Sequence, residues 1–321
     1  MKKSVSAVIS VVILLLMLAR PELSLSGAKK GLSLWSGVVL PTLLPFMICS
    51  GAIVAAGGVP LLVMPFRPVL RRVFGFSEEG SFVFLTGLLC GYPMGAKTDR
   101  EFLEWGMIGE KEARCLLAVS NHPSPMFLLG YVMAAWDQQG LLLLLLSVYL
   151  PLLPLSFAAR KFYGVSSENA VWKKRTAPAL TGFSFEKSMM NSIEVMVKIG
   201  GYIMLFSIAA EFIKALSPLP EKANALILGA TEITTGIHQI SLVTEGSSMR
   251  LFITAAAVFG GVSGIFQTKG VLGASENGKN AKKAGLSIRH YVIWKLIHAA
   301  LSCITLGALS LLLPQQLAPL P

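Results

Sequence analysis

Six stretches of about 20 or more mostly apolar residues recur along the chain, at 34–57, 115–136, 140–159, 188–213, 251–273 and 291–313. A helix of that length crosses the hydrocarbon core of a bilayer, where only helices and closed barrels satisfy all their own backbone hydrogen bonds. An all-α polytopic membrane protein is therefore expected. Composition agrees. Hydrophobic residues make up 54% of the 321 and charged residues 14%, against about 25% charged in soluble domains, and the mean hydropathy is +0.66. So few charges leave too little polar surface to cover a soluble domain of this size, which argues against a soluble enzyme, a disordered chain and a nucleic-acid binder. The net charge of +11 then reads as a topological signal rather than a nucleic-acid footprint. The partner implied is the lipid bilayer, and the location a cell membrane crossed several times.

The run Ser4–Ala19 follows Lys2 and Lys3 and precedes Arg20-Pro21-Glu22. With no A-x-A-like cleavage site it is read as a retained first span. Basic clusters at Arg67/Arg71/Arg72, Lys97 to Arg114, Arg160/Lys161 with Lys173/Lys174/Arg175, and Lys279/Lys282/Lys283/Arg289 should be cytoplasmic, and the Trp136–Gly140 connection, without Lys or Arg, external. Seven spans result, with the N-terminus inside and the C-terminus outside. Arg20, Lys29 and Lys30 fall on the external side and run against this scheme. Cys49, Cys90, Cys115 and Cys303 lie in apolar stretches without CxxC spacing, so they read as small buried hydrophobes rather than a disulfide framework or zinc site.

Two shorter glycine-rich stretches, 81–97 and 225–243, have both flanks on one side, cytoplasmic for the first and external for the second. Each is expected to enter and return as a re-entrant hairpin, with its broken backbone facing protein or a cavity. The order span, hairpin, broken span occurs twice: 34–57, 81–97, 115–136, and then 188–213, 225–243, 251–273. Gly91–Gly95 of the first hairpin corresponds to Glu232–Gly236 of the second, and Ser120–Pro125 to Gly260–Gly264. The two copies have opposite topology. Inverted repeats with matching interruptions point to a secondary transporter with a midplane site, and the hairpin tips should meet there with Asn121 and Gln267 alongside.

Individual residues support more than one role. Gly91, Pro93 and Gly95 stop a helix and leave N–H groups at the start of a half-helix, where an anion is favoured; Gly95 should let a ligand approach the backbone. Tyr92 lies at the same turn, and Lys97 is either a ligand contact or a snorkelling anchor. Asn121 and Ser124 flank prolines that remove backbone donors, so they contact substrate or satisfy freed carbonyls. Glu232 is an ionisable group at membrane depth, functional by default. It coordinates Na⁺, carries a proton, bonds a substrate hydroxyl or amine beside Thr234 and Thr235, or caps a half-helix. Ser263 and Gln267 hold the matching place in the last repeat element. Glu194 and Lys198, four apart, should pair locally. His122 is a candidate for titration near neutral pH or for hydrogen-bonded filler. No GxSxG, Walker A or HExxH pattern occurs, so no catalytic role, cofactor or metal is assigned beyond a coupling Na⁺ or H⁺.

Gly91-Tyr-Pro-Met-Gly-Ala-Lys97, Ile108-Gly-Glu-Lys-Glu-Ala-Arg114, Ser120-Asn121, Lys198-Ile-Gly-Gly-Tyr202 and Glu232-Ile-Thr-Thr-Gly236 resemble the sporulation integral membrane proteins of the YlbJ type. The resemblance implies the nucleoside-recognition or Gate domain group, similar in architecture to concentrative nucleoside transporters. It further implies transport of a small polar or anionic metabolite, with dipicolinate moving into the forespore as the named example. A non-transporting sporulation scaffold and an intramembrane enzyme are the competing readings, and homo-oligomerisation is left open. The organisation expected is an N-terminal span and connection over 1–30, a first Gate-like repeat over 31–137, a connecting span and basic loop over 138–186, a second repeat over 187–275, and a C-terminal span over 276–321.

Overall fold

The computed structural model describes residues 2–136, 140–165, 185–273 and 285–312. Among these every regular element is a helix. Lys173, Lys174, Arg175, Lys279, Lys282 and Lys283 lie outside the described residues.

The first helix, α1 (Lys2–Ala19), is followed at Arg20 by α2 (Pro21–Leu34), which runs through a π turn at Trp35–Val39 into α3 (Leu40–Ala55). Together Pro21–Ala55 form one candidate span of 35 residues. At 1.5 Å per residue this is about 50 Å, more than a bilayer core needs, so part of it extends beyond. The span expected to begin at 34 thus begins at 21. Polar residues such as Glu22, Ser24, Lys29 and Lys30 conceal it in the sequence, because the face it buries is made of glycine: Gly27 and Gly31 are the buried residues of α2.

Prolines break the chain over Val59–Phe74 into short helical turns, which bend by 101° into α4 (Glu78–Cys90). This helix reverses at Gly91-Tyr92-Pro93, where φ at Gly91 is +79° and the Tyr92–Pro93 peptide is cis, into α5 (Met94–Glu104). Phe82 of α4 stacks on Phe102 of α5 with ring centroids 5.4 Å apart, which clamps the pair far from its tip. α6 (Glu110–Val119) stops at Ser120, and helix resumes at Pro125 with Ser124 Oγ accepting from Phe127 N. α7 (Leu141–Tyr149) and α8 (Leu152–Tyr163) form one span.

The second half opens with α9 (Phe185–Leu216), whose Glu194 and Lys198 pair as expected. α10 (Glu221–Thr231) turns back at Glu232 into α11 (Ile233–Val243), and α12 (Gly246–Phe259) breaks at Gly260 into α13 (Gly261–Leu272). α14 (Ile288–Leu312) closes the chain. Among the described residues five helices are long and apolar enough to span a membrane: Pro21–Ala55, Leu141–Tyr163, Met189–Leu216, Gly246–Leu272 and Ile288–Leu312. The bent pair Val59–Phe74 with Glu78–Cys90 is a sixth if it counts as one span. Their outward faces carry exposed Leu142, Phe157 and Ile304, as a surface solvated by lipid allows.

Candidate functional site

At the first reversal, glycine lets three backbones meet. A Cβ on Gly87 would lie 1.7 Å from the Ser120 carbonyl oxygen, and one on Gly95 would lie 2.0 Å from the same atom. The two arms of α4 and α5 therefore close around the end of α6. Gly91 is confined less tightly, 2.9 Å from Ser124 N by the same construction, and Tyr92 N donates to His122 O at 3.0 Å. The close approach that Gly95 makes in this structure is to the Ser120 backbone.

The N–H groups at the start of α5 are not all open to an anion. Ala96 N donates to Asn121 Oδ1 at 3.3 Å, so a side chain from the neighbouring break already caps the half-helix. Asn121 does more than this. Its Nδ2 donates to Thr268 Oγ1 and to Tyr291 Oη, both at 3.0 Å, and its backbone oxygen accepts from Lys295 Nζ at 2.9 Å. One buried amide thus ties the first helix pair to α13 and α14. Thr268, not Gln267, is the α13 residue that meets Asn121; Gln267 Nε2 donates one turn back to Ser263 Oγ at 3.1 Å.

The second reversal repeats the use of glycine. A Cβ on Gly236 would lie 2.0 Å from Gly229 Cα, so α10 and α11 touch through their backbones. Glu232 sits at the turn, buried, and its carboxylate accepts from Thr234 N at 3.2 Å, Thr235 N at 2.8 Å and Thr234 Oγ1. Among the roles left open by the sequence, this geometry is that of an N-cap. Tyr131 Oη donates to Thr234 O at 2.8 Å, which joins the turn to the segment after the first break.

The two tips meet at Gly260–Gly261. A Cβ on Gly260 would lie 3.2 Å from the Tyr92 ring, and one on Gly261 would lie 3.1 Å from Thr231 O. Consecutive glycines, both at positive φ, therefore touch one tip each. Other expected residues use their side chains locally. Lys97 pairs with Glu101 at 2.6 Å on its own helix, and Ser124 caps the helix after the break. His122 lies between the Phe84 and Tyr149 rings, edge-on to both, with its Nδ1 3.4 Å from Pro123 O and its Nε2 unpartnered.

Sequence reasoning missed the face of α14. Tyr291, Lys295 and His298, spaced for one helix face, are all buried. Lys295 Nζ lies 5.0 Å from the Tyr92 ring centroid, and His298 Nε2 lies 2.9 Å from Val148 O. A lysine in the middle of an apolar span was the available signal. Among the described residues no group of three His, Cys, Asp or Glu side chains is placed to hold a metal ion.

The chain is 28% identical to the sporulation integral membrane protein YlbJ of Bacillus subtilis (strain 168), over 299 residues that cover 81% of this chain and 73% of the relative. No family model matches the chain, and no solved structure matches it.

Proposed function

We propose that this chain, which belongs with the YlbJ-type sporulation integral membrane proteins, is a secondary transporter of a small polar or anionic metabolite. In this reading α4–α5 and α10–α11 are re-entrant hairpins that enter from opposite faces as parts of an inverted repeat of the Gate type. The solute binds where their tips converge. Broken helices at membrane depth are tolerated only when they are buried in protein or line a cavity, and paired interruptions are where transporters bind solute. The observation that carries the reading is Asn121, whose hydrogen bonds join the first hairpin, the second broken span and the C-terminal span. Such a residue senses movement of any one of the three. Dipicolinate, suggested by the sequence resemblance, is the first solute to try.

Glu232 favours a second reading. All three hydrogen bonds of its carboxylate lie within its own turn, which gives it a structural role that a non-transporting membrane scaffold could share. Uptake of labelled dipicolinate and a panel of nucleosides into proteoliposomes separates the two. Transport predicts saturable uptake that Asn121→Ala reduces at least tenfold, with Glu232→Gln losing either uptake or its dependence on Na⁺ or pH. No uptake of any panel member, with the protein correctly inserted, supports the scaffold. Normal, equally ion-dependent uptake by Glu232→Gln makes that carboxylate a cap only.

A further inference from the structure

Lys295 is 2% exposed in the middle of α14. An ammonium group offers three donors, and the contacts of this one are the Asn121 backbone oxygen at 2.9 Å and the face of the Tyr92 ring at 5.0 Å. Neither brings a negative charge. Other lysines of the chain are treated differently: Lys97 meets Glu101 at 2.6 Å and Lys30 meets Glu211 at 2.7 Å. Among the described residues no carboxylate lies within ion-pair distance of Lys295, and Glu232 is held by its own helix turn. A buried cation without a counter-charge is costly in protein and in lipid.

One turn earlier on the same face, Tyr291 accepts from Asn121 through its hydroxyl, and it also lines a narrow surface cleft. Arg114, Tyr163, His290 and Trp294 form other parts of that lining. Tyr291 to Lys295 is four residues, or about 6 Å along a helix. Lys295 is not part of that lining, and Arg114 pairs with Glu110 at 3.2 Å; the Lys295 ammonium instead lies over Tyr92, at the contact of the two tips.

We propose that Lys295 supplies the counter-charge for an oxyanion, a carboxylate or phosphate group of the transported solute, bound beside Tyr92 where the two tips meet. The proposal rests on the transporter reading and narrows its substrate class to anions. It also relocates the anion contact: the α5 half-helix start is capped by Asn121, and the adjacent lysine is what remains free to receive charge.

The test is thermal unfolding of the purified full chain in detergent, at constant ionic strength, with chloride alone or with pyridine-2,6-dicarboxylate, benzoate or phosphate added. Three proteins are compared: native, Lys295→Met, and Lys198→Met as a surface control. With chloride alone Lys295→Met should unfold at a higher temperature than native, because an uncompensated buried charge is gone. At least one of the three anions should raise the native midpoint by about 2 °C or more, as a ligand that binds only the folded state does. The same anion should raise Lys198→Met equally and leave Lys295→Met unmoved. The proposal is overturned if Lys295→Met unfolds below native, if the anion shift survives in it, or if none of the anions moves the native protein. An intact anion shift without uptake in proteoliposomes would sink the transporter reading and leave the anion site standing.

Discussion

Asp99 shows how a single side chain sets the pH response. Its carboxyl is fully buried, neither oxygen has a hydrogen-bond partner, and it lies on α5 outside the candidate spans. Burial, and then the charge of Glu112, hold its pKa well above the ordinary aspartate value. Glu112 is itself raised by burial and partly offset by hydrogen bonds from Ser77, whose backbone N–H donates at 2.8 Å. The folded state therefore keeps a proton that the unfolded chain, with a pKa of about 3.9, releases. The sign follows: stability from this group is greatest below about pH 4 and declines as pH rises toward the folded pKa, by up to about 1.4 kcal/mol per pH unit. Asp99→Asn should remove that decline. Its unfolding midpoint in detergent should exceed that of the native protein at pH 8, with the gap closing near pH 4. A native midpoint above that of Asp99→Asn at pH 8 would show the carboxylate ionised and partnered.

At the scale of elements, glycine decides which helices touch. α2 and α9 run antiparallel, with Gly27 against Ile208, Gly31 against Met204, and Trp35 Nε1 bonded to Met196 O at 2.9 Å. Small residues four apart are the usual means of close helix approach in lipid, where packing replaces the hydrophobic drive. A Cβ on Gly27 would lie 2.5 Å from Ile208 Cα, so Gly27→Val should force the pair apart. Gly236→Ala, against Gly229, should do the same for α10 and α11. Each change should cost about 1–3 kcal/mol, the usual range for overpacking, read as a lower unfolding midpoint. Gly201→Ala, which meets nothing within 4 Å, should be neutral; equal losses in all three would refute the steric argument.

Those contacts also explain what the sequence made legible. Apolar runs located the later spans and Gly/Pro clusters located both reversals, because backbone breaks in a membrane leave a compositional mark. α2 was hidden because its buried face is glycine and charged and hydroxyl residues interrupt its leucines. The choice of Thr268 over Gln267 was unreadable for another reason: adjacent helical positions differ by about 100°, and only the packed neighbours fix that rotation. Lys295 escaped because its partner is a backbone oxygen on residue 121, which no motif records.

For the whole molecule, one of the three charges that ran against the orientation scheme, Lys30, finds a local explanation. Lys30 pairs with Glu211, which also accepts from Ser26 at 3.2 Å. A lysine so neutralised at the far end of α9 carries little topological weight. What remains to decide is whether the two helix pairs return to the side from which they came, since α4 with Val59–Phe74 also has the length of one bent span. The direct measurement is side-specific labelling of single cysteines by an impermeant thiol reagent, on inside-out and right-side-out vesicles. Glu78 and Lys111 flank the first pair, and Glu221 and Glu245 flank the second; Gly80 and Arg100 are buried and would not report. If opposed re-entrant pairs enclose a midplane site, positions 78 and 111 label from the cytoplasm and positions 221 and 245 from outside. Opposite-side labelling within either pair would contradict the account.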